Sequence, residues 1–189
     1  NEAAVEKLNG QFETAEALNF TSGTSHAKEQ HPEYKRIPIN YGNQPSMQTA
    51  FVFNQLGRPD LTQFWSRKVV DKAFSGLSPA TGYNGDEDQG LMGSLSVLLK
   101  LGLFQMNGGT EENPQYQLGS PIFDKVVIEL NPEYYPGKEF IIETIGNSAE
   151  NVFVDSVSLY NKPIQENWIN HNDLVKGGKL TLKMKQNPH

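Results

Sequence analysis

The chain has no cysteine among its 189 residues, which removes disulfides, thiol nucleophiles and zinc–thiolate centres from consideration. It is also short of positive charge. Sixteen Lys and Arg stand against 22 Asp and Glu, for a net charge of −6. No basic stripe runs through it, so a phosphate backbone would be repelled and nucleic acid is excluded as a partner. No apolar run approaches the roughly 18 residues of a spanning helix, which excludes membrane insertion of that kind. Histidine is scarce: His26, His31, His171 and His189 form no metal-like pair and read as structural or solvated. Internal repeats and low-complexity segments are absent. The first twenty residues lack the basic start and apolar block of a signal peptide. They open on helix-like Glu2-Ala3-Ala4-Val5-Glu6-Lys7-Leu8, which reads as the interior of a longer chain.

What is present is ample core material. At 37% hydrophobic and 10% aromatic, the composition belongs to a folded protein rather than a disordered one. The apolar period changes once, near residue 103. Before it, the pattern is helical. Residues 2–9 predict a helix ended by Asn9-Gly10, residues 19–45 a long loop, and Ser46 to Leu56 a second helix stopped by Gly57. Asp60 is placed to cap a third, whose Leu61, Phe64, Trp65, Val69, Ala73 and Phe74 form one stripe. A fourth runs from Asp88 or Gln89 to Leu101, with small and apolar faces and few charges, and is expected to be buried. After residue 103, strands are expected at 126–130, 140–145, 152–160 (as one bent strand) and 180–185. Pro136-Gly137, Gly146-Asn147 and Gly177-Gly178 stand at the turns. The lysines of residues 176–185 alternate with apolar residues as one solvated strand face. The expected fold class is α+β, with a helical segment over 1–103 and an antiparallel, β-sandwich-like part over 104–189.

The residues that carry chemistry lie in Gly85-Asp86-Glu87-Asp88-Gln89-Gly90. Three acids sit in a glycine-rich turn just before a helix, whose free N–H groups favour anions. In extended geometry Asp86 and Asp88 share a side, and two carboxylates on one side can hold a water and take its proton. Helix capping is the simpler use of such residues. An EF-hand is rejected, because its sixth and twelfth positions fall on Gln89 and Leu95.

Four motifs in order then resemble glycoside hydrolase family 92, the calcium-dependent α-mannosidases. Gly42-Asn43-Gln44-Pro45-Ser46, followed by Ala50-Phe51-Val52-Phe53-Asn54-Gln55-Leu56-Gly57-Arg58-Pro59, is similar to the family's Gly-Asn-Glu-Pro-Ser and aromatic-rich helix. Gly85-Asp86-Glu87-Asp88-Gln89-Gly90-Leu91-Met92 resembles Gly-(Asn/Asp)-(Glu/Asp)-Asp-x-Gly-x-Met. Leu101-Gly102-Leu103-Phe104 resembles Leu-Gly-Phe-Tyr. Gly119-Ser120-Pro121-Ile122-Phe123-Asp124 resembles Gly-Ser-Pro-(Leu/Ile)-Phe-Asp. The resemblance implies the last helices of a catalytic (α/α)6 toroid followed by a β-rich end, in a protein that removes α-linked mannose with inversion, periplasmic or extracellular in a bacterium. Inversion uses an acid and a base about 6.5–9.5 Å apart. Carried over position by position, Asp88 is the base and Asp86 its helper. Asn43, Gln44 and Glu87 contact substrate, and Asn43 and Gln44 lie at the calcium.

The partners so implied are an α-mannoside glycan and the rest of the same polypeptide, namely an N-terminal β-sandwich and the remaining toroid helices. The family's general acid, a glutamate upstream of Gly-Asn-Glu-Pro, has no counterpart here. Glu2, Glu6, Glu13 and Glu16 stand in the wrong context, so the isolated chain is expected to be inactive. The sequence also departs at Gln44 (Glu in the family), at Met47-Gln48 (a His pair) and at Gly93-Ser94-Leu95 (Ser-Ala-Trp). Those departures favour a rival reading, a non-catalytic carbohydrate-binding or structural module of the same fold. Trp168 and Tyr134-Tyr135 are further aromatic candidates for stacking on a sugar, with core packing and a turn as their simpler readings.

Overall fold

The first helix, α1, runs from Glu2 to Glu16, past the Asn9-Gly10 pair expected to end it. Both amide ends of Asn9 are engaged: Nδ2 donates to Glu13 Oε1 at 2.8 Å and Oδ1 accepts from Trp65 Nε1 at 2.8 Å. One turn on, Phe12 and Ala15 are fully buried. Burying a side chain of that size contributes about 1.5–3 kcal/mol, more than the ~1 kcal/mol helix penalty of a glycine. This computed structural model describes residues 1–21, 37–79, 81, 82, 84–86 and 90–188. Glu87, Asp88, His26, His31 and His189 lie outside the described residues, as does much of the expected 19–45 loop.

The segment expected as one helix over 46–56 is broken into two 3-10 turns, Gln44–Ser46 and Thr49–Phe51, and a short α2, Val52–Gln55. Pro45 cannot donate within a helix, and Thr62 Oγ1 takes the Ala50 carbonyl at 2.9 Å. The third helix, α3, spans Pro59–Ala73 with Pro59 in its first turn. Asp60 lies in the first turn instead of at the N-cap, which is Arg58, and Arg58 Nε donates to its carboxylate at 2.9 Å. The predicted stripe is otherwise seen as drawn. Trp65, Val69, Ala73 and Phe74 are buried, with Trp65 stacked on Phe12 at 5.0 Å. The fourth helix, α4, spans Leu91–Leu101. It is buried on one face only, since Leu91 is 37% and Val97 56% exposed.

The strands begin immediately after α4. A three-stranded sheet pairs β1 (Leu103–Phe104), β2 (Gln115–Leu118) and β7 (Trp168–Asn170), all antiparallel. A five-stranded sheet has the order β3 (Lys125–Glu129), β4 (Glu139–Ile145), β8 (Gly178–Lys185), β5 (Phe153–Leu159), β6 (Lys162–Ile164). It is mixed rather than antiparallel, because β4 and β8 run parallel. The 146–177 connection, carrying β5, β6, β7 and α5 (His171–Val175), allows that crossover. The bent strand expected over 152–160 is β5, and its register shift against β8 falls between Val154 and Ser156.

Two hydrophobic clusters result. One draws on residues 5–104 and the other on residues 103–184. Arg67 of α3 joins them. Its guanidinium is 8% exposed and donates to Ser120 Oγ at 3.2 Å, Asn147 Oδ1 at 2.7 Å, the Ser148 carbonyl at 3.4 Å and the Pro121 carbonyl. Burial pulls its pKa below the ordinary arginine value, partly offset by Asp71. Four acceptors on two loops stand in for water around the charge. Arg67→Ala is expected to destabilise the chain by about 2–3 kcal/mol in urea unfolding. Arg67→Lys should recover less than half, because a point-like ammonium cannot span the fork.

Candidate functional site

The chain enters the site through Tyr41, whose ring is fully buried against Phe20. Its N–H donates to the Phe20 carbonyl at 2.7 Å, and its hydroxyl oxygen accepts from the Ala50 N–H at 3.1 Å. Burial pushes that hydroxyl's pKa well above its ordinary value, against a smaller opposing pull from the Ala50 N–H. Tyr41 is therefore a buried, neutral anchor of this turn. Asn40 shapes the next turn: Oδ1 accepts from Gly42 N at 2.9 Å, while its own N–H donates to Ser46 Oγ at 2.9 Å. Asn43 is extended (φ −152°) and caps the Gln44–Ser46 turn by accepting the Gln44 N–H at 2.7 Å. Asn43 and Gln44 are both half-buried.

Gly42 meets the acidic loop at its backbone. The Asp86 N–H donates to the Gly42 carbonyl at 3.0 Å. A Cβ at Gly85 would lie 2.5 Å from that carbonyl oxygen, and one at Gly42 would lie 2.7 Å from the Asn84 carbonyl oxygen. The Thr21 hydroxyl donates to the same Asn84 carbonyl. Only two glycines allow this approach, so the two motifs singled out for chemistry are docked to each other. Beside the contact lies a cavity of about 180 Å³, lined by Asp86, Asn84, Met92, Ser96 and Lys100 among others. Of the predicted site residues, the structure brings Asp86 against the Gly42–Gln44 turn. Asp88 and Glu87 lie outside the described residues.

The helix after the loop starts later than expected. Its cap is Gly90 at φ +85°, with no side-chain cap, in place of Asp88 or Gln89. Asp86 stands four residues before that cap. Two departures from the family pattern turn inward. Leu95 is 1% exposed and Met47 packs on the helical core. Residues that sequence reasoning did not select are Asn40, Tyr41 and Asn84. An Asn-Tyr-Gly turn ahead of Asn43 is the signal that would have found the first two.

The amide oxygens of Asn43 and Gln44 are hard donors of the class calcium prefers. They fit part of a calcium shell, though Asn43 Oδ1 already accepts one N–H. Among the described residues no group of three His, Asp or Glu is placed to hold a metal.

Gly85→Ala should separate the motifs and destabilise the chain by about 1–3 kcal/mol. Gly10→Ala, whose Cβ would meet nothing within 4 Å, should stabilise α1 by up to about 1 kcal/mol. Thermal unfolding of both variants checks the pair.

Comparison with known proteins places the chain in a family. The glycosyl hydrolase family 92 catalytic domain profile matches residues 1–186. Over 145 residues the chain is 30% identical to an uncharacterized secreted glycosidase of Arthroderma benhamiae, covering 76% of this chain and 18% of that protein. A family GH92 inverting mannosidase from Bacteroides thetaiotaomicron matches at TM-score 0.67 and 26% identity, over 94% of this chain and 24% of its own. A family GH92 α-mannosidase from the same organism, in complex with mannoimidazole, shares the fold at TM-score 0.79 and 21% identity, over all of this chain and 23% of its own. The chain thus spans about a fifth to a quarter of the proteins it resembles, and it belongs to glycosyl hydrolase family 92.

Proposed function

We infer that the protein carrying this chain is an exo-acting, inverting α-mannosidase, of α-1,2 type, that removes mannose from glycans. Asp88 is the general base, assisted by Asp86. The observation that carries this reading is the backbone contact of Gly42 with Gly85 and Asp86. Through it the aspartate loop and the Asn43–Gln44 turn belong to one site. In the reaction, Asp88 takes a proton from water and the water oxygen attacks the anomeric carbon. The glycosidic C–O bond breaks as the leaving oxygen takes a proton from an acid supplied by another part of the polypeptide. Asn43, Gln44 and Glu87 hold sugar hydroxyls. Asn43 and Gln44 would also help hold calcium, which when bound supplies Lewis-acid polarisation of the hydroxyls it contacts.

Residues 1–103 are the last helices of an (α/α)6 toroid, and 104–189 form a β-sandwich-like end. The exposed strip of Leu91, Gly93, Ser94 and Val97 on α4 supports a neighbouring helix from the rest of the polypeptide, since small residues admit close packing. The word secreted in the fungal relative's name, with no described helix long and apolar enough to cross a membrane, supports a periplasmic or extracellular setting. The buried Leu95 and inward Met47 favour a second reading, a carbohydrate-binding module that has lost the chemistry.

Assayed on α-linked mannobioses with calcium, the whole protein should release mannose. Asp88→Asn should lower kcat about 10²–10⁴-fold, and chelation should abolish release. The isolated 189-residue chain should release none. Mannose release unaffected by Asp88→Asn would remove the base assignment. Binding without release on any linkage would favour the second reading.

A further inference from the structure

A second cavity, of about 360 Å³, opens between the end of α2 and the connection from β1 to β2. It shares no lining residue with the cavity beside Gly42. The acidic loop enters the N-terminal end of α4, and the 105–111 segment follows its C-terminal end, about 16 Å further along the helix. Its volume is within the range of small-molecule sites, about 300–1,000 Å³.

The lining has an unusual chemistry. Five of its lining residues carry a carboxamide: Gln55, Gln105, Asn107, Gln115 and Gln117. No Lys or Arg lines it, and its one carboxylate, Glu111, already accepts from Asn107 Nδ2. An anion would find no opposite charge there, and a cation would find a single, occupied acid. Each carboxamide offers both donors and an acceptor, which matches a ligand whose every edge is a hydroxyl. Met106 and Pro114 add the apolar surface that the C–H face of a sugar ring needs.

Gln117 is the fixed point of the lining. It is 5% exposed, and its Oε1 accepts from Asn54 Nδ2 at 3.2 Å. Among the described residues its Nε2 has no hydrogen-bond partner, and Asn54 Oδ1 is buried without one. Gln117 lines the cavity, so the free Nε2 is a donor available at its wall. Register adds an aromatic. Gln117 on β2 stands opposite Trp168 on β7, which puts both side chains on one face of the sheet. Trp168 is half-buried and stands in neither core cluster, and it lies outside the cavity lining.

We propose that this cavity is a non-catalytic binding site for one pyranose unit of a neutral glycan, held by Gln105, Asn107, Gln115 and Gln117. The mannose reading of the function guides only the choice of probe. The test follows the side-chain amide signals of the ¹⁵N-labelled full chain by NMR during titration with methyl α-mannoside, with inorganic phosphate as the control anion. The glycoside should shift the signals of Gln105, Asn107, Gln115 and Gln117 saturably, and phosphate should not. The exposed-side double variant Gln105→Ala/Asn107→Ala should weaken binding at least tenfold and leave the fold intact, and Gln117→Leu should do the same from the buried side. Signals that stay still at millimolar glycoside would overturn the proposal. So would shifts confined to the side-chain amides of Asn43 and Gln44, an equal response to phosphate, or a titration unchanged in the double variant. If the amides shift while the whole protein releases no mannose, the enzymatic reading fails and this site stands.

Discussion

The buried guanidinium of Arg67 is the interaction on which the arrangement of the chain depends. It sits where α3 meets the loop 119–121 and the turn after β4, and it has no carboxylate bound to it among the described residues. A charge removed from water in this way must find acceptors for its donors. It finds them on Ser120, Pro121, Asn147 and Ser148, residues that belong to the strand half of the chain. Ser120 is itself fixed, since its hydroxyl donates to the Val152 carbonyl at 2.7 Å. The helical core and the sheet core are therefore joined through this cation and the loops folded around it, beside the Val154 N–H that donates to Gln63 Oε1 at 2.9 Å and the Asn54 amide that donates to the Leu118 carbonyl at 3.2 Å.

This joint explains a motif that carries family identity without carrying chemistry. Gly119 donates to the Gly102 carbonyl at 2.9 Å. Gly102 ends α4 at φ +73°, and a Cβ there would lie 2.6 Å from the Pro121 ring. Leu101-Gly102 and Gly119-Ser120-Pro121, far apart in sequence, are thus two sides of one contact. The other pair of family-like motifs, at 42–46 and 85–90, meets through a glycine on each side, Gly42 and Gly85, where either Cβ would strike the opposite backbone. Two glycine contacts, one at each end of α4, set the helix between the site and the joint.

Much of this was legible in the chain itself. The apolar stripe of α3, the strands β3, β4, β5 and β8 and the bend in β5 follow from periods of 3.6 and 2 and from turn residues at the joints. The family resemblance rested on motif order and needed no coordinates. The short strands β1, β2, β6 and β7 were not legible. Gln115-Tyr116-Gln117 and Lys162-Pro163-Ile164 have little apolar alternation, and their pairing is fixed by neighbours distant in sequence. The continuation of α1 through Asn9-Gly10 was equally hidden, because it rests on Trp65 and on the burial of Phe12.

By itself, the sequence determined the class of the protein. The absence of cysteine, the acidic balance, the change of period near residue 103 and the ordered motifs are properties of local composition and spacing. Tertiary structure alone decided which motifs touch. It put Asp86 against Gly42, turned Met47 and Leu95 inward, made β4 and β8 parallel, and gathered the glutamines around a cavity that no linear pattern announces. The physical reason is that backbone approach and burial depend on what arrives from elsewhere in the chain. A glycine or a glutamine has the same local propensity whether it faces water, a carbonyl or a sugar.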